Sequence, residues 1–374
     1  MLRDRYGNPV STTSTAALAH YDAALEQIHL YQGDPVATLD AAIAADPGFG
    51  SAWAARAGLL VTTSDKAYLD EARRSLEAAG DARLVDGDRE HLAAAGAIAS
   101  GRFMEGTTRY ARLARTSPRD VLAVQYAPVG CFFLGLQSEL RDGPLSALRA
   151  FADGEDGQGV LLGMAAFGLE ECGDFPQAEE LGRWAAQIEP RDGWAVHAVA
   201  HVHEMRGDLD RGIPWLEESA ASWAPGSGFA YHNWWHLALL YLDRGDTRQV
   251  LRLYDEKIRP DPGAQVLLEW IDASAMLWRL RLEGIDVGER FAPLAACWER
   301  ARDDGFYAFN DAHAMLAFLG AGRRADAERT LATLRRVAAE DSDNGAMTRT
   351  VGLPVAEALM AFESGRATEC AEKL

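Results

Sequence analysis

Cysteine is scarce. Four occur in 374 residues, at Cys131, Cys172, Cys297 and Cys370, far apart and with no CxxC pair. That usage argues against a disulfide framework and fits a reducing compartment. Positive charge is also short: 37 Lys and Arg face 56 Asp and Glu, a net charge of −19. With no basic stripe to neutralise phosphates, nucleic acid is excluded as a partner, and the same charge opposes docking on anionic membrane surfaces. No apolar run approaches 18 residues, so no membrane-spanning helix is expected. The opening MLRDRYGNPVSTTSTAALAHY has no apolar core of a secretory signal. A cytoplasmic location is the expectation. Alternating runs rich in Val, Ile and Thr are nearly absent, which removes sheet-based folds. With them go the GxSxG elbow, the P-loop and the dinucleotide-binding fingerprint, and HExxH is missing too.

What the chain has is alanine and leucine at helical spacing. Apolar residues make up 48%, enough for a large core, and charged residues 25%, so solvated acidic helix faces account for the charge. After an extended arm over residues 1–10, Ser11–Ser14 offers helix N-caps, and from there the chain repeats itself. A helix ends at Gly-Asp or Gly-Arg, a second follows, and a proline closes the unit. The glycines are Gly33, Gly101, Gly173, Gly207, Gly245, Gly322 and Gly365, and the closing prolines include Pro47, Pro118, Pro190, Pro225 and Pro260. Gly173 to Gly207 spans 34 residues and Gly33 to Gly101 twice that. Skipped turns are expected near Ser64-Asp65, Leu136-Gln137 and Gly284-Ile285.

A two-helix unit with a period near 34 is the tetratricopeptide signature. The expected fold is all-α: a tetratricopeptide-repeat-like right-handed superhelix of about nine helical hairpins, each burying its apolar face against its neighbours. No linker interrupts it, so residues 1–374 read as a single α-solenoid domain, with Asp153–Gly159 and Glu340–Asn344 as surface loops.

Three stretches are more specific than generic repeat sequence: GDFPQAEELGRWAAQIEPRDGWAVHAVAHVHEMRGD, YHNWWHLALLYLDRGD and FNDAHAMLAFLGAGR. In these the chain resembles the tetratricopeptide repeat protein 38 family, from about Tyr6 to Gly365. The resemblance implies an all-helical superhelix in a cytoplasmic protein and carries no reaction with it.

Repeat register sorts the candidates. Counted back from Gly207, Val196, Val199, Ala200 and His203 take packing positions, while Trp194, His197, His201 and Glu204 face the groove. From Gly245 the groove receives His232 and Trp235, with His236 beside that row. Phe167 and Glu170 precede them in the chain; Trp278, Phe309, Asn310 and His313 follow. Apolar walls with a few convergent polar groups suit a small-molecule pocket better than a peptide clamp. The leading expectation is a repeat protein whose concave face binds a small molecule or short peptide through Trp194, Trp235, Phe167, Glu170, Trp278, Asp272, Phe309 and Asn310.

The alternative makes that face an active site. His197, His201, Glu204, His232, His236 and His313 would then do acid–base or metal-assisted chemistry on a small molecule, with Glu204 or Asp272 orienting an imidazole. The sequence demands no cofactor. The metal version of this reading puts a divalent ion on His197 and His201, with Glu204 or His232 completing the shell, since imidazoles four apart share one helical face. Interhelical hydrogen bonding in a polar seam explains the same histidines without chemistry. A third reading is a protein–protein adaptor, and the terminal units either cap the array or dimerise it.

Overall fold

The computed structural model describes residues 2–374. Helices dominate, with no strand among the described residues and only isolated bridges at Arg3/Pro9, Gln32/Ser227 and Phe49/Arg83. The chain divides into two compact units, one running to Leu237 and the other from Ala238 on. In the first unit lie α1 (Thr15–Leu30), α2 (Pro35–Ala45), α3 (Gly50–Val61), α4 (Leu69–Ala79), α5 (Asp86–Ala99), α6 (Phe103–Thr116) and α7 (Val121–Leu134). It continues through α8 (Gln137–Leu148), α9 (Gln158–Glu171), α10 (Phe175–Ile188), α11 (Gly193–Arg206), α12 (Leu209–Trp223) and the opening of α13 (Ala230–Asp243).

These helices pack neighbour on neighbour, and composition decides how deeply. The first helix of a pair is apolar nearly all round: in α9 every residue from Gln158 to Glu170 except Val160 is buried. The second is amphipathic, and in α10 only the stripe Ala178, Gly182, Ala185 is buried. Gly182 marks a close crossing, because a Cβ there would lie 2.6 Å from a Val199 methyl. The glycines that end the repeat helices, Gly33, Gly101, Gly173, Gly207, Gly245, Gly322 and Gly365, all have positive φ. At Gly207, φ 63 and ψ 27 place the left-handed C-cap that stops α11 one residue after Arg206. The skipped turns fall at Ser64 (φ 56), Gly135 and Gly284.

The first unit also carries contacts that a nearest-neighbour array lacks. The turn after α1 meets the turn before α13: Gly33 donates its N–H to the Gly226 carbonyl at 3.0 Å, and Gly228 donates to the Tyr31 carbonyl at 2.7 Å. Arg191 pairs with Glu26 at 3.1 Å and Arg5 with Asp156 at 2.8 Å. Residues 2–10 are tied down as well, with Tyr6 and Val10 buried and the Arg119 guanidinium on the Tyr6 carbonyl at 2.8 Å.

The second unit holds the rest of α13, then α14 (Thr247–Leu253), α15 (Leu267–Leu282), α16 (Phe291–Trp298), α17 (Ala308–Gly320), α18 (Arg324–Val337), α19 (Asp343–Met347), α20 (Leu353–Glu363) and α21 (Ala367–Lys373). Its core includes Trp270 and Trp298, whose rings meet edge to face at 5.4 Å. Among the described residues no helix is long and apolar enough to cross a membrane.

Candidate metal centre

Three first helices, α9, α11 and the start of α13, bring their polar residues to one place. The sequence positions α11 closely. The Asp192 carboxylate caps its N-terminus, accepting from the N–H groups of Trp194 at 3.0 Å and Ala195 at 3.1 Å. Burial pushes the Asp192 carboxyl up to about 7, against those two hydrogen bonds. From this fixed start, His197 and His201 fall one turn apart on the same face. The buried Asn233 amide braces α13 against α11 by donating to the Gly193 carbonyl at 2.9 Å, which sets His232 and His236 opposite the first pair.

The four imidazoles meet through the same atom. His197 Nε2 lies 3.1 Å from His232 Nε2, His232 Nε2 3.2 Å from His236 Nε2, and His236 Nε2 3.1 Å from His201 Nε2. One nitrogen from each ring lies within 4.8 Å of all the others. Behind two rings stand carboxylates. His201 Nδ1 is 3.2 Å from Glu170 Oε2, and His236 Nδ1 is 2.7 Å from Glu204 Oε2. His197 Nδ1 is buried with no hydrogen-bond partner among the described residues.

An ionised carboxylate only accepts, so Nδ1 carries the proton on His201 and on His236, and a neutral imidazole has just one. Their Nε2 atoms, 3.1 Å apart, then confront each other as two lone pairs. A cation at the convergence point, either an added proton or a metal ion, removes that conflict. The protein resists the proton on one side: burial, then the like charges of His201, His236 and His232, hold His197 well below the usual histidine range. On the other side burial opposes charge on His201, but Glu170, Glu204 and Glu171 outweigh it and raise its pKa.

The surroundings are aromatic. Phe167, fully buried, packs at 4.8 Å from Trp194 and 5.3 Å from His197. Trp235 stacks parallel to His232 at 5.6 Å, and Tyr31 stacks on Trp194 at 5.7 Å. His197 and His236 form a buried floor, while Tyr31, Glu171, Trp194, His201, Glu204, His232 and Trp235 are half-exposed.

Of the residues expected from the sequence, Phe167, Glu170, Trp194, His197, His201, Glu204, His232, Trp235 and His236 are thus gathered in the first unit. His236, placed beside the groove row by register, is at the centre of the cluster. Glu204 stands behind His236 on Nδ1, where a residue that orients an imidazole stands, and not among the four converging nitrogens. His203 is fully buried, its Nε2 accepting from the Arg183 guanidinium at 3.1 Å, as its packing register implies.

Asp272, Trp278, Phe309, Asn310 and His313 belong to the second unit. There Trp278 is buried under Phe362 and the Arg281 guanidinium, and Asp272 and Asn310 are buried too. Phe309 is exposed and packs on His313 at 4.3 Å, whose pKa burial lowers. Sequence reasoning missed Tyr31, Glu171, Asn233 and Phe229, whose ring packs edge to face at 5.2 Å from His197. Only Glu171 left a trace, as the neighbour of Glu170 in GLEECGD. Searched against models of known protein families, the chain matches none.

Proposed function

We propose that this chain is a tetratricopeptide-like repeat protein, related to the tetratricopeptide repeat protein 38 family, whose histidine cluster holds one divalent transition-metal ion for metal-assisted chemistry on a small molecule. The observation that carries this reading is the convergence of four Nε2 atoms, three successive pairs at 3.1–3.2 Å, with carboxylates on the Nδ1 atoms of two rings. Nitrogen ligands about 2.0–2.1 Å from an ion lie roughly 2.9–3.4 Å apart, from right-angled to tetrahedral geometry. The spacing found here falls inside that window. Four neutral imidazoles select the zinc, copper, nickel and iron class over calcium or magnesium, which take oxygen ligands. Carboxylates behind the rings fix the tautomer that leaves Nε2 bare, the usual outer support of a metal-bound histidine.

The half-exposed His201 and Glu204 let a small molecule approach the centre, where an ion that accepts a further ligand beside the imidazoles could take it up. There the ion would act as a Lewis acid on a bound molecule. Elemental analysis of protein purified without a metal-affinity tag and dialysed against clean buffer tests the centre. About one transition-metal ion per chain is expected, with His232→Ala bringing the content close to zero. Metal-free protein that also fails to take up zinc, copper, nickel or iron in titration would overturn the reading.

A further inference from the structure

The carboxylates around the histidines are unbalanced. Glu170 and Glu204 each face an imidazole N–H, but Glu171 has no hydrogen-bond or ion-pair partner among the described residues. It is half-buried, and one of its oxygens lies within 4.8 Å of both a Glu170 oxygen and a His201 ring nitrogen. Set beside a second carboxylate, it gains from a cation to face. A divalent ion on four neutral imidazoles does not supply it, because Glu170, Glu171 and Glu204 outnumber its charge by one. The aromatic walls bear on the same question. Trp194 and Trp235 are half-exposed beside the cluster, and aromatic faces attract organic cations while offering an apolar body a surface to lie on.

We propose that this site binds an organic ammonium compound, its cation facing Glu171 and its apolar, preferably aromatic, body lying along Trp194 and Trp235. The inference rests on the metal reading only for the floor of the site. An anion would meet the surplus carboxylate, and an uncharged apolar molecule would leave Glu171 as it stands.

Two probes of matched shape and opposite charge separate the cases: 2-phenylethylamine and 3-phenylpropanoate, titrated by calorimetry at neutral pH into full-length protein of measured metal content. The amine is expected to bind at least about tenfold tighter. Glu171→Gln should shrink that ratio several-fold, and Trp235→Leu should weaken amine binding by about 2- to 30-fold. Equal or tighter binding of the carboxylate by wild-type protein, or a ratio unmoved by Glu171→Gln, overturns the proposal. The two readings fail separately: protein that takes up no metal in titration yet still prefers the amine sinks the metal centre alone, whereas metal-loaded protein without the preference sinks the ammonium ligand alone.

Discussion

A ring nitrogen with a carboxylate against it has lost its choice of tautomer, and this is what Glu170 and Glu204 do to His201 and His236. The residue-scale expectation follows. Glu204→Gln keeps the shape and replaces a fixed acceptor by an amide, so metal affinity should fall about 10- to 100-fold without loss of the fold. Competition against a chromogenic chelator measures it, and an unchanged constant would remove Glu204 from the site. A second residue makes a pH statement away from the cluster. His29 is buried on the Gln125 side chain, and burial brings its pKa down to about 4. An unfolded histidine titrates near 6.5. The stability this neutral ring contributes is therefore complete above about 6.5 and is lost as pH falls toward 4, because the unfolded chain takes up the proton first. Between pH 7 and pH 4 the stability difference between wild type and His29→Met should shift by about 3 kcal/mol against wild type. Denaturant melts of both proteins at the two pH values test it; parallel pH profiles would contradict it.

At the scale of helices, the spacing of His197 to His201 and His232 to His236 showed that two pairs share faces, and Gly207 gave the register that turned one pair inward. The site was legible to that depth because helix geometry is local. What was not legible is what depends on neighbours. That the four Nε2 atoms meet follows from how α13 is braced by Asn233 on the Gly193 carbonyl, a contact between helices 40 residues apart. Register put Glu204 in the groove, but only the packed helices show it behind a ring. Tyr31 reaches Trp194 from the far end of the first unit with no periodic signal at all. The repeat helices were easier, since their positive-φ glycines are dictated within one turn. Helix crossing makes its own prediction. Gly182→Val pushes side-chain atoms into the Val199 methyl that already lies 2.6 Å from an added Cβ, so α10 must move off α11 at a cost of about 1–3 kcal/mol. A thermal or chemical melt checks this, and the metal content of the same variant should fall if α10 holds α11 in place.

On the scale of the whole molecule, an ion bound to the folded chain alone adds stability by mass action. With free metal at about 1,000 times its dissociation constant the gain is about 4 kcal/mol. The thermal midpoint should thus rise with added metal and drop with chelator, and the rise should vanish when His197 and His232 are both replaced by alanine. A shift of equal size in that double variant would place the ion elsewhere.

The contact between the turn after α1 and the turn before α13 bears on how the chain is made. A repeat array can fold from its first unit onward as it leaves the ribosome, because each hairpin needs only the next. Here Tyr31 waits for Gly228, almost two hundred residues later, before its carbonyl finds its partner and its ring finds Trp194. Closing so long a loop is slow, although its entropic cost grows only with the logarithm of its length. The aromatic side of the histidine cluster is therefore among the last parts of the first unit to form, and the nascent chain carries it unfinished until α13 emerges.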